Sequence, residues 1–269
     1  MKISVIIPAY NRVATLARAI DSVLEQSYRA DEIIVVDDGS SDATSEVAKV
    51  YSEVILLRQK NMGASSARNN GVMMAANAWI AFLDSDDAWH AKKLAFQVAY
   101  HQKNRASKCL YTDEMWMSGE REIPVPKKYH KTETLRFEEA LGFSNIPTSS
   151  VLMEKKLFER LGGFDESLEV CEDYDLWLRV LREEKIDLVP QKLTYRYLGA
   201  DNRLSMRYPE TDRFRVKALE KHLDSPFDEA VREELIKKYT LLAEWAKKQK
   251  KEDDFFLYEA RLEQLKAGF

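Results

Sequence analysis

Through the first hundred residues, short runs of apolar and largely β-branched residues alternate with longer stretches in which apolar positions recur every three or four residues. The short runs suit strands buried on both faces and the longer ones amphipathic helices, so the pattern predicts βαβ units and a mainly parallel sheet. Strands are expected at residues 3–7, 33–36, 54–57 and 79–83. Helices are expected at 12–26, where Leu16, Ile20, Val23 and Leu24 share a face, and at 43–51 and 63–76. Further on the pattern gives a helix over 92–102, a strand over 109–116, a loop marked by Pro124 and Pro126, and a strand over 149–153. A short helix over 155–161 ends at Gly162-Gly163, a helix covers 172–184, and a strand covers 194–197. Past Pro209 the strand-like runs stop, and 211–223, 228–248 and 254–266 read as three charged helices. The expected organisation is therefore residues 1–208 as an α/β domain, divided into 1–105 and 106–208, and 209–269 as a helical extension.

Composition narrows the chemistry by exclusion. The 269 residues carry 41 Lys+Arg against 45 Asp+Glu, a formal charge of -4, so no basic excess points to nucleic acid as a partner. No apolar run approaches the roughly 18–20 residues that span a bilayer, and Met1-Lys2 leads straight into a strand pattern without the layout of a signal peptide. A cytoplasmic chain is the expectation, held at the inner face of the membrane if its C-terminal helices dock there. Cys109 and Cys171 share no metal or redox spacing, and His90, His101, His130 and His222 form no helical metal pair, so any metal should be bound by oxygen. Met73-Met74 and Trp177, at helical spacing, read as core rather than as a cofactor platform.

In an open α/β sheet, ligands bind beyond the carboxyl ends of the strands. Three loops meet there: Pro8-Ala9-Tyr10-Asn11-Arg12 after the first strand, residues 37–42 after the second, and Asp84-Ser85-Asp86-Asp87 after the fourth. A dinucleotide fold would need a Gly-rich first turn so that the backbone could approach a pyrophosphate, and Pro8-Ala9-Tyr10-Asn11 is not one; the Gly-Lys-Ser/Thr phosphate loop is absent too. Asp84 and Asp86, two apart, would face one side of an extended chain and could grip a divalent cation such as Mg²⁺ or Mn²⁺. The alternative is that these Asp and Ser residues cap turns and the following helix.

Four segments in order carry a resemblance: Val5-Ile6-Ile7-Pro8-Ala9-Tyr10-Asn11; Ile34-Val35-Val36-Asp37-Asp38-Gly39-Ser40-Ser41-Asp42; Gly63-Ala64-Ser65-Ser66-Ala67-Arg68-Asn69; and Phe82-Leu83-Asp84-Ser85-Asp86-Asp87. With Gly162-Gly163-Phe164-Asp165-Glu166 and then Glu172-Asp173-Tyr174-Asp175-Leu176-Trp177, the first two hundred residues resemble the inverting family 2 glycosyltransferases of GT-A fold. The resemblance implies a nucleotide-sugar donor, a UDP-sugar by preference, a Mn²⁺ or Mg²⁺ cofactor, and a hydroxyl of a glycan or lipid-linked saccharide as acceptor. It implies that Pro8, Ala9, Tyr10 and Asn11 bind the donor, with Tyr10 against its base, and that Asp38 accepts the imide N–H of a uracil. Arg68 then approaches the diphosphate, Ser85 binds the donor, and Asp86 and Asp84, with Asp87 nearby, carry the metal and ribose contacts. Asp173 becomes the base for the acceptor hydroxyl, with Glu172 as its orienting neighbour; read without the resemblance, Glu172, Asp173 and Asp175 are acidic first-turn residues suited to a helix dipole. The segment 198–206 reads as a loop able to close over the donor, with Arg203 or Arg207 near the diphosphate. The rival readings are a nucleotidyltransferase, which lacks its basic Gly-rich loop here, and a non-catalytic nucleotide-sugar-binding protein, against which Asp173 argues.

The resemblance is silent beyond residue 209, where 13 basic residues balance 13 acidic ones from Thr211 to Phe269, so a general polybasic membrane arm is excluded despite Lys247-Lys248-Gln249-Lys250-Lys251. The apolar stripes of these helices need cover, from each other and the catalytic domain, or from a second subunit (a homodimer) or a membrane partner.

Overall fold

The computed structural model describes residues 1–131, 134–143, 145–198 and 210–267. Strands β1 (Ile3–Ala9), β2 (Glu32–Asp37), β3 (Val54–Arg58) and β4 (Trp79–Phe82) pair in parallel in the order β3-β2-β1-β4. Helices α1 (Leu16–Leu24), α2 (Thr44–Lys49) and α3 (Ala64–Met74) make the crossovers. Period-two alternation divides each strand between two cores: Val5, Ile7, Ile33 and Val35 face one side with α1, whereas Ile6, Ile34 and Val36 face the other with Ala67 and Val72 of α3. Gly71 is required where α3 crosses β1, because a Cβ there would stand 2.5 Å from Cγ2 of Ile6.

Beyond β4 come β5 (Ala88–Trp89), α4 (Lys93–Lys103), β6 (Cys109–Ser118), β7 (Arg121–Ile123), β8 (Thr134–Leu135), α5 (Phe137–Ala140), β9 (Leu152–Glu154), α6 (Lys155–Arg160), α7 (Glu172–Glu183) and β10 (Ile186–Tyr197). Strand β9 runs antiparallel between β4 and β6, and β10 lies parallel to β6 on its far side, so the sheet continues as β4-β9-β6-β10-β5. The result is a mixed α/β fold with a mainly parallel central sheet. Helices α8 (Asp212–Glu220), α9 (Asp228–Lys248) and α10 (Glu252–Ala267) complete the described chain. Their stripes, including Leu219, Leu235, Leu242 and Leu262, form a third core with Phe137, Leu141, Tyr174 and Leu178. The extension thus packs on itself and on the back of α7. Among the described residues no helix is long and apolar enough to cross a membrane.

Several expectations need correction. The segment 149–153 is a strand only from Leu152, because Thr148–Ser150 forms a 3₁₀ turn after Pro147. Strand β10 starts at Ile186 rather than at 194; Pro190 interrupts its apolar pattern, and the ladder with β6 shifts register between Val189 and Lys192. Met73 and Met74 are exposed, since the buried face of α3 is Ala67, Gly71 and Val72. Trp177 is buried, as expected. The segment Asp84–Asp87 is a tight turn closed by the Asp87 N–H on the Asp84 carbonyl at 3.0 Å, not extended strand. The loop expected at 198–206, with Arg203, and Arg207 beyond it, lies outside the described residues apart from Leu198.

Removing residues 209–269 should strip the cover from Phe137, Tyr174 and Leu178. An exposed apolar patch of that kind drives association, so the truncated chain is expected to elute as aggregate in size-exclusion chromatography. A monodisperse, stable truncation would show that the three helices are dispensable to the fold.

Candidate active site

The carboxyl ends of β1, β2 and β4 open into a cavity of about 700 Å³. Its lining includes Pro8, Ala9, Tyr10, Asn11, Asp38, Arg68, Asp84, Ser85, Asp86, Glu172 and Asp173, so the residues singled out in the sequence share one space. Asn11 adopts φ +52, a left-handed conformation that Asn tolerates better than most residues. It thereby clips two loops together: its N–H donates to Ser40 Oγ at 2.9 Å and its Oδ1 accepts the Ser41 N–H at 2.9 Å. Tyr10, next to it, is 41% exposed, which leaves a ring face open to a ligand.

Asp38 is buried and does not cap α2, the helix that follows it. Its carboxylate instead accepts the N–H groups of Met62 (2.9 Å) and Gly63 (2.8 Å), just before α3, and an amide N–H of Gln59 (2.8 Å). A carboxylate has about four acceptor positions. Three are used, and one remains for a ligand donor.

The Asp84–Asp87 turn gathers three carboxylates, of Asp84, Asp86 and Asp87, whose oxygens lie within 4.8 Å of one another. Like charges this close need compensation. Part comes from the protein: Ser149 Oγ donates to Asp87 Oδ2 (2.7 Å) while accepting the Asp84 N–H (3.1 Å), and Arg12 stands 4.0 Å from the Asp86 carboxylate. An all-oxygen, anionic donor set of this kind fits a hard divalent cation such as Mg²⁺ or Mn²⁺.

Arg68 joins this turn to α7. Its guanidinium, nearly buried, donates through one nitrogen to Asp84 Oδ1 at 2.7 Å and through another to Glu172 Oε1 at 2.8 Å, with its face over the Phe164 ring. Burial acts to lower the guanidinium pKa, but the two carboxylates outweigh it and hold the group protonated. Arg68 therefore stands between two carboxylates, with its Nε lacking a hydrogen bond among the described residues.

Asp173 follows Glu172 in the first turn of α7, and Cys171, at φ +66, sets the bend that aims this turn at the cavity. Its Oδ1 accepts the Tyr174 N–H at 2.6 Å. A helix N-terminus normally lowers a carboxyl pKa. Burial and the adjacent Glu172 charge win here and push Asp173 up to about 6, even though the Tyr174 N–H and Arg68 pull the other way. Such a carboxyl is a far better proton acceptor at neutral pH than an ordinary aspartate.

Comparisons with known proteins show the family and the fold. The model of "Glycosyl transferase family 2" matches residues 4–162, and that of "Glycosyltransferase like family 2" matches 126–218. The chain belongs to the family 2 glycosyltransferases. It is 32% identical over 194 residues to the Escherichia coli UDP-Glc:alpha-D-GlcNAc-diphosphoundecaprenol beta-1,3-glucosyltransferase WfgD, a match covering 70% of this chain and 72% of that one. It is 30% identical over 203 residues to an uncharacterized glycosyltransferase of Rickettsia prowazekii, covering 68% of this chain and 60% of that relative. Among solved structures, Staphylococcus aureus TarS 1-349 in complex with UDP-GlcNAc superposes with a TM-score of 0.70 at 20% identity, covering 91% of this chain and 71% of that one. The Pyrobaculum calidifontis mannosyltransferase PcManGT in complex with GDP-Man and Mn²⁺ gives 0.67 at 18% identity, covering 86% and 68%. These structural likenesses establish the GT-A fold.

Sequence reasoning missed Ser149, a lone hydroxyl in an irregular segment that braces the acidic turn, and missed Glu114, Lys131, Arg196 and Arg215, which line the cavity. Arg68→Gln should leave Asp84 and Glu172 facing each other without a cation. Removing one partner of a fully buried pair typically costs about 3–5 kcal/mol; because Asp84 is a third exposed and can rehydrate, about 2–3 kcal/mol is expected in denaturant unfolding. Unchanged stability would mean that the bracket carries no net energy.

Proposed function

We propose that the chain is an inverting, metal-dependent glycosyltransferase moving a sugar from a nucleotide-sugar donor, by preference a UDP-sugar, to a hydroxyl of a glycan or lipid-linked saccharide. The observation that carries this reading is the Arg68 bracket, which sets a triplet suited to a divalent cation and a carboxylate of raised pKa against one cavity. The names of the relatives agree with it: WfgD is a UDP-glucose-dependent enzyme acting on a diphosphoundecaprenol-linked sugar, and a second relative, TuaG of Bacillus subtilis, is assigned to teichuronic acid biosynthesis.

In this mechanism Tyr10 and Asn11 pack against the donor's base, and Asp38 accepts a base N–H with its remaining lone pair. Asp84, Asp86 and Asp87 would hold the Mn²⁺ or Mg²⁺, which supplies positive charge to the departing diphosphate. Asp173 takes the proton of the acceptor hydroxyl while that oxygen bonds to the anomeric carbon on the face opposite the leaving group. The bond from that carbon to the diphosphate oxygen breaks, its electron pair leaves on the nucleoside diphosphate, and the configuration inverts. Arg68 holds Glu172, and with it the first turn of α7, so that Asp173 stays in line.

The broad test is incubation with a panel of nucleotide sugars and Mn²⁺, with release of a nucleoside diphosphate expected. Two substitutions separate the roles. Asp173→Asn should lower turnover about a hundredfold or more, since general bases contribute 10²–10⁴, while donor affinity by titration stays unchanged; wild-type turnover would remove Asp173 from the mechanism. Asp86→Ala should weaken UDP binding when Mn²⁺ is present and leave it unchanged in EDTA. An equal loss in both conditions would mean that the carboxylate touches the nucleotide directly.

A further inference from the structure

The Asp84–Asp87 turn is gripped by residues from three other parts of the chain. From α1, the Arg18 guanidinium donates to the Asp86 carbonyl at 2.6 Å and lies over the Tyr197 ring, 3.6 Å from its centre. From the end of β10, the Tyr197 N–H donates to Asp87 Oδ1 at 3.3 Å. From the 3₁₀ turn before β9, Ser149 Oγ accepts the Asp84 N–H at 3.1 Å and donates to Asp87 Oδ2 at 2.7 Å. A hydroxyl can accept and donate at one atom, so Ser149 ties the first residue of the turn to the last.

Ser149 is itself fixed from behind. It is 1% exposed, and its carbonyl accepts the Trp89 indole N–H at 2.6 Å. The carbonyl of Ser150, next to it, accepts the Gln97 amide at 3.0 Å. Gln97 is oriented by Lys93, one turn earlier on α4, whose Nζ donates to Gln97 Oε1 at 2.9 Å and lies over the Trp89 ring. Both side chains are fully buried. A lysine and a glutamine are costly to desolvate in an apolar core, and buried polar networks with their partners met make their surroundings rigid. Here the network holds the segment that carries Ser149. Neither Arg18 nor Ser149 is among the described residues that line the cavity, so each reaches a bound ligand only through the turn.

We infer that Ser149 and Arg18 are positioning residues for the divalent cation: they hold the Asp84–Asp87 turn in the shape that brings its carboxylate oxygens together before any ion is bound. This rests on the glycosyltransferase reading for the metal at this turn. It goes beyond that reading by giving two residues outside the acidic motif a share in metal affinity. Arg18 makes the inference sharp, because charge and geometry predict opposite outcomes there. A guanidinium beside a cation site repels the ion, so on charge alone its removal tightens binding. If its grip on the Asp86 carbonyl matters more, removal loosens binding.

The full-length protein with UDP present would be titrated with Mn²⁺, the free ion being followed by electron paramagnetic resonance. UDP affinity in EDTA, measured by calorimetry, and circular dichroism report the rest of the site and the fold. Groups that orient metal ligands typically change affinity about 10–100-fold, so Ser149→Ala and Arg18→Met should each weaken Mn²⁺ binding by about tenfold or more. Ser149→Thr, which keeps the hydroxyl, and Arg18→Lys, which keeps a donor, should retain most of the affinity, and UDP affinity in EDTA should be unchanged throughout. Wild-type Mn²⁺ affinity in Ser149→Ala or in Arg18→Met overturns the assignment of that residue, and tighter binding in Arg18→Met would show that its charge outweighs its grip. A variant that loses the fold, or UDP affinity in EDTA that falls in step with Mn²⁺ affinity, would make the residue a general support and also overturn its assignment. Failure of the underlying reading looks different: the wild type would then bind neither Mn²⁺ nor UDP and turn over no nucleotide sugar.

Discussion

A single buried guanidinium couples the two working parts of the cavity. Arg68 projects from α3, Asp84 lies in the turn after β4, and Glu172 opens α7 more than a hundred residues later in the chain. Burying a charge is costly unless its hydrogen-bonding capacity is met. The planar fork of arginine meets two carboxylates at once, at 2.7 and 2.8 Å, where a lysine could offer only a point charge. The metal-suited turn and the candidate base are thereby held in one geometry, and a displacement of either is resisted by the other.

The remainder of the fold serves to keep α7 still. Tyr174 donates to the Leu141 carbonyl at 2.5 Å and Trp177 to the Ile146 carbonyl at 3.0 Å. Behind them the fully buried Asp175 is neutralised by Arg179 at 2.5 Å and by Lys221 of the C-terminal extension at 2.6 Å. An in-line displacement loses rate steeply if the base moves by an ångström, so a helix pinned on three sides is what the proposed chemistry requires. The extension is thus joined to the site by a salt bridge and a shared core, not by chain connectivity alone.

Much of this was legible in the sequence wherever one residue type has one physical use. Buried parallel strands read as unbroken apolar runs, and β1 to β4 fall within two residues of expectation at each end. The loops at their carboxyl ends could be placed because an open sheet leaves few other positions for a crevice. What could not be read depends on tertiary geometry. Two-residue strands such as β5 and β8 have no period to detect, and Pro190 hides the first half of β10. Arg68 could be singled out, but not its partners, because nothing local in the chain records that Glu172 comes to lie beside Asp84. Asp38 was legible as a carboxylate in the crevice, whereas its grip on the N–H groups before α3 was not. Glu114, Lys131, Arg196 and Arg215 look like ordinary surface charges until the fold sets them around one cavity.

The central claim is that this network tunes Asp173 into a base, and the most direct measurement is the titration of its own carboxyl. Carbon-13 NMR of aspartate-labelled protein, with the Asp173 resonance assigned through Asp173→Asn, gives its midpoint without any need to know the substrate. The expected midpoint is about 6, moving higher in Arg68→Gln because the guanidinium charge that favours the carboxylate is gone. The carboxylate form, and with it base function, would then be complete above that pH and lost as the pH falls through it. A midpoint near the ordinary 3.8, indifferent to the loss of Arg68, would contradict the account.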